Sequence, residues 1–146
     1  MQHHLILRIV TKSLVGIILL FGLYVQFHGD YSPGGGFQAG VIFAAGFILY
    51  GIVMGLDKVQ SVLPFWVVQK LSALGVLLYA LTGVFSLFMG FNYLDYSAFS
   101  PQYPEHGQHW GILIVELGVG ITVTGVIVCV YYCFASRTPH IDDGEW

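Results

Sequence analysis

Four apolar runs, each close to the length needed to cross a bilayer, decide what this chain can become. They lie at about residues 9–27, 37–56, 71–91 and 110–134. A helix rises 1.5 Å per residue, so roughly 20 apolar residues span the hydrocarbon layer. None of the runs alternates apolar and polar residues as a barrel strand does. Helices are then the form that satisfies its own backbone in lipid. The sequence predicts an all-α, polytopic membrane protein with four transmembrane helices. It reads as a single membrane domain over residues 1–146. Residues 135–146 form a short acidic tail with Asp142, Asp143 and Glu145.

The scarcity of charge agrees. Only 9% of the 146 residues are charged and 56% are hydrophobic, whereas soluble domains carry about 25% charge. So few charges cannot cover a water-facing surface, which excludes most soluble enzymes, and so apolar a chain is not disordered. The net charge is -3 with five Lys and Arg residues. That leaves no phosphate-binding face and excludes nucleic acid as a partner.

The basic residues give an orientation. Arg8 and Lys12 flank the start of the first run, Lys58 and Lys70 lie between the second and third, and Arg137 follows the fourth. All five fall on one side. The positive-inside rule makes that side cytoplasmic, with both termini inside. The first run is read as a retained helix, because residues 24–28 offer no small-x-small cleavage site. Lys12 and Lys70 stand near helix ends, where snorkelling to the headgroups accounts for them. The connection at 92–109 is aromatic, with Tyr93, Tyr96, Phe99 and Tyr103. It suits a segment at the membrane–water interface or one covering a neighbouring subunit. Cys129 and Cys133 read as membrane-helix thiols, and no zinc spacing is present. No histidine lies inside a run, which argues against a bis-histidine haem anchor.

One acid stands apart. Glu116 lies in the fourth run, six residues past Trp110, roughly 9 Å inside the run's outer end. A charge at a membrane-helix centre costs about 2.5–3.5 kcal/mol on insertion scales. A partner, water or protonation must offset that cost. Two readings follow: a carboxyl group that exchanges ions, or a structural glutamate bonded to a neighbouring helix. Thr124 shares the Glu116–Gly120 face and joins it as an ion-path candidate.

Glycine supplies the other pattern. Pro33, Gly34, Gly35, Gly36 and Phe37 open the second run, followed by Gly40. Three glycines after a proline permit positive φ and close backbone approach. They match GxGxxG/A in spacing, but a membrane helix stands where a nucleotide site needs a β-strand. The reading is a tight re-entry turn that packs the second helix against a neighbour. Gly118 and Gly120 supply small residues on the fourth helix. Such faces bring membrane helices together. They exceed what one four-helix unit needs, which points to a multisubunit complex.

These two motifs resemble a known family. Pro33 to Gly40 reads Pro-Gly-Gly-Gly-Phe-x-x-Gly. Residues 109–123 resemble a segment of the form GI-x-x-x-E-x-GVG-x-TV. Both resemble the B subunit of Mrp-type multisubunit Na+/H+ antiporters, the MnhB/MrpB family, in order, length and four-span layout. One departure is His28-Gly29-Asp30, where that family often has Gly-His-Asn. The resemblance implies a multi-pass protein of the bacterial cytoplasmic membrane. It implies a subunit of a monovalent cation (Na+)/proton antiporter that supports ion translocation and complex assembly. Partners would be the lipid bilayer and the other antiporter subunits, especially the large A subunit. Na+ and H+ would be transported, with no enzymatic activity, resident cofactor or metal site. Two rivals remain on the residues alone. One is a standalone proton-coupled four-helix exporter, which usually carries its acid in the first helix. The other is a non-transporting membrane assembly or anchor subunit.

Overall fold

Proline and glycine set the helix ends. A computed structural model describes residues 2–29 and 34–137, with side chains from residue 5. Its helices are α1 (Gln2–Phe27), α2 (Gly36–Met54), α3 (Leu56–Val62), α4 (Phe65–Phe88) and α5 (Pro104–Ala135). A short 3-10 turn spans Tyr96–Phe99. Gly55, at φ +98°, closes α2 by donating its N–H to the Gly51 carbonyl. Only glycine holds that conformation cheaply. Pro64 stands at the N-cap of α4 and Pro104 in the first turn of α5, positions where a missing N–H costs nothing. Among the described residues all regular structure is helical. α1, α2, α4 and α5 are each long and apolar enough to cross a membrane.

Two helices begin earlier than their apolar runs. α4 starts at Phe65 rather than near 71, directly after Pro64. α5 starts at Pro104, so residues 104–109 are helical although the sequence places them in a connection. Their polar composition hides them from a hydropathy reading. At 32 residues, α5 is about 48 Å long and exceeds the hydrocarbon layer.

α5 is the hub. It packs on α4 along one face and on α2 along another, while α1 packs chiefly on α2. α2 and α5 run in parallel. Gly36 faces Glu116, Gly40 faces Gly120, and Gly51 faces Tyr131, all at one constant separation in sequence. α4 meets α5 through Gly75 against Thr122 and Gly125 against Ser72. The buried side-chain core lies near the α3 end, with Ala44, Val59, Val68, Val128 and Tyr132. There the Tyr132 hydroxyl donates to the Leu63 carbonyl at 2.8 Å. Elsewhere the helices touch nearly backbone to backbone. Large apolar side chains such as Leu20 and Phe88 point outward, 69% and 86% exposed. That surface suits lipid, not water.

The aromatic connection folds back on its own helices. The Tyr93 ring lies on Gly83 and the Tyr96 ring on Gly111. Phe99 meets Phe85 with ring centres 4.9 Å apart. Asp95 caps the 3-10 turn by accepting from the Ser97 N–H at 3.1 Å. Burial pushes the Tyr96 phenol above its ordinary range, and Tyr79 and Tyr93 add to the effect.

Candidate ion-path site

The end of α1, the start of α2 and the first half of α5 converge on Glu116. Gly35 precedes α2 at φ +147°, a conformation that disfavours any side chain. A methyl group there would stand 2.9 Å from Glu116 Oε1. A methyl at Gly29 would lie 2.5 Å from Oε2 and 2.7 Å from Oε1. At Gly36 it would collide with the Glu116 carbonyl oxygen. Three glycines thus make the space that the glutamate fills. Its carboxylate lies at the N-terminal end of α2, whose cap has no side-chain hydrogen bond. The first-turn N–H groups of a helix and its dipole favour negative charge there.

One turn along α5, Gly120 continues the crossing. A methyl at Gly40 would stand 2.8 Å from the Gly120 carbonyl oxygen and 2.8 Å from Val123 Cβ. A further turn along, the Thr124 hydroxyl donates to the Gly120 carbonyl at 2.7 Å and approaches the Gly40 carbonyl at 3.2 Å. Its proton is shared between two helices, so its oxygen can act further only as an acceptor.

The sequence-derived residues therefore separate. Glu116, Gly35, Gly36, Gly40, Gly120 and Thr124 come together. Gly34 is half-buried beside them. Phe37 is 60% exposed, off the face that meets α5. Pro33 lies outside the described residues. Gly118 turns to the opposite side, where a methyl would stand 3.0 Å from the Gly75 carbonyl oxygen on α4. Two residues along a helix rotate by about 200°, so Gly118 and Gly120 serve different neighbours.

Sequence reasoning missed Gln26 and Gly29. Gln26 is uncharged and sits near the end of an apolar run, so a search for intramembrane charge passes over it. His28 stacks on Tyr24 with ring centres 4.2 Å apart. Cys129 and Cys133 are free thiols on α5. Among the described residues no group of three His, Cys, Asp or Glu side chains is placed to hold a metal ion.

A family model described as a domain related to the MnhB subunit of Na+/H+ antiporter matches residues 6–129. The chain belongs to this family. The match takes in Gln26, the α2 glycines, Glu116, Gly120 and Thr124. Similar proteins include one from Staphylococcus haemolyticus (strain JCSC1435), 38% identical over 131 residues, covering 88% of this chain and 92% of that protein. One from Staphylococcus aureus (strain Newman) is 37% identical with the same coverage, 88% and 92%. One from Staphylococcus epidermidis (strain ATCC 12228 / FDA PCI 1200) is 36% identical, again over 88% and 92%. Each bears the name "Putative antiporter subunit mnhB2". Kinship with antiporter subunits and four apolar helices together make this a multi-pass membrane protein.

Proposed function

We propose that the chain is a membrane subunit of a multisubunit Na+/H+ antiporter in a bacterial cytoplasmic membrane. In this reading Glu116 is an ion-path carboxyl group. The observation that carries it is the seat of that carboxylate. It lies on an apolar helix, against Gly29 and Gly35, at the start of α2. A group so placed can hold a proton or a monovalent cation and release it to a neighbour. Thr124, two turns along, offers only acceptor lone pairs. The other antiporter subunits, the large A subunit foremost, complete the machine, with Na+ and H+ as the exchanged ions. Membership of the antiporter subunit family supports this reading, as do helix faces left open to lipid or partners.

The test is Glu116→Gln in the whole complex, assayed in inverted membrane vesicles. Exchange is expected to fall by about a hundredfold with the complex intact. Unchanged exchange and an unchanged pH profile would remove Glu116 from the ion path. A second reading has its own observation. The Glu116 carbonyl oxygen also forms the closest α2–α5 approach, at Gly36. Loss of the complex in the Gln variant would assign the residue to assembly. A standalone exporter fits less well, because α1 carries no acid. The purified chain alone in liposomes is expected to be inactive.

A further inference from the structure

The α1 end of the site holds a side chain that the Glu116 reading does not use. Gln26 is 9% exposed, a polar side chain in the otherwise apolar second half of α1. Holding a polar side chain in such a setting costs free energy, so it marks a place where polar groups gather. Its oxygen lies against Gly120. A methyl at Gly120 would stand 2.5 Å from Gln26 Oε1 and 3.2 Å from the Gly36 carbonyl oxygen. Gly29, three residues beyond Gln26, meets the Glu116 carboxylate. α1 therefore runs antiparallel to α5 here and sets the amide one turn from the carboxylate, towards Thr124. Three oxygen-bearing groups step along the α5 face, each about one 5.4 Å pitch from the next.

We propose that Gln26 is the second station of this path. A small cation bound by oxygen, whether a proton carried on water or a bare monovalent metal ion, leaves Glu116 and is received by the Gln26 amide oxygen beside Gly120. This rests on the reading of Glu116 as an ion-path group. An amide suits the step, because it offers a carbonyl oxygen to a cation and N–H donors to water without a charge that would trap the ion.

Vesicles holding the whole complex with Gln26→Leu, Gln26→Glu or Glu116→Gln test it, each titrated with Na+ and assayed across pH. Gln26→Leu is expected to assemble and to slow exchange about tenfold, the loss of one charge-assisted contact. A raised half-saturating Na+ concentration in that variant identifies the metal ion as the species received. A displaced pH profile at unchanged half-saturation identifies the proton. Gln26→Glu, of the same shape but ionisable, is expected to slow exchange and to displace the pH profile. Wild-type kinetics in Gln26→Leu, or a slower rate with neither change, overturns the proposal. If Gln26→Leu does not assemble, Gln26→Glu decides: a displaced profile supports the station, and a wild-type profile overturns it. Normal exchange in Glu116→Gln removes the parent reading. Loss there with normal Gln26→Leu removes only Gln26.

Discussion

At the scale of single residues, glycines differ by what surrounds them. A methyl at Gly36 would collide with the Glu116 carbonyl oxygen, whereas Gly16 on α1 has nothing within 4 Å. Gly36→Ala is expected to cost about 1–3 kcal/mol or more by overpacking. It should lower the melting temperature of the purified protein and the yield of assembled complex. Gly16→Ala should leave both unchanged or gain up to about 1 kcal/mol in helix propensity. Equal behaviour of the two variants would mean that the α2–α5 crossing does not hold the fold together. Glu116 was visible in the sequence because an intramembrane carboxylate is expensive and rare. Gln26 was not, since its importance comes from a neighbour, Gly120, far away along the chain. The division of labour between Gly118 and Gly120 was equally hidden until the partners of α5 were known.

At the scale of helices, two hydrogen bonds tie elements that glycine brings close. Thr124 reaches from α5 to Gly40 on α2, and Tyr132 reaches from α5 to Leu63 at the end of α3. Thr124→Val removes the first. Polar contacts between membrane helices average about 0.6 kcal/mol and reach about 1.7 kcal/mol, so a modest loss of thermal stability is expected, with Thr124→Ser close to wild type. Tyr132→Phe removes the second and strips the Leu63 carbonyl of this donor, a loss of about 1–3 kcal/mol. Denaturant titration in detergent would rank the two, and a neutral Tyr132→Phe would show that α3 is held by side-chain packing alone. The four long helices were readable from apolar length. α3 and the first turns of α5 were not: α3 is a single short segment, and residues 104–109 are polar. Gly55 and Pro104 were the local signals that could have marked the starts of α3 and α5.

At the scale of the whole molecule, the distribution of charge predicts an orientation in the membrane that can be tested. Arg8 and Lys12 lie in the first half of α1, Lys58 on α3, Lys70 near the start of α4 and Arg137 just past α5. Parallel packing of α2 and α5, with α1 antiparallel to α5, puts these points on one side of the molecule. The positive-inside rule then predicts that the basic side is cytoplasmic. On that prediction the aromatic turn at Tyr96–Phe99 faces outward. Single cysteines placed on the two sides test this in a background with Cys129→Ser and Cys133→Ser. Gln102→Cys lies at an exposed position in the outer connection, and Lys58→Cys at an exposed position on α3. A membrane-impermeant maleimide added to intact cells should label position 102 and spare 58 until the membrane is opened. The reverse pattern would invert the molecule, and would put Glu116 near the cytoplasmic rather than the external mouth of the path.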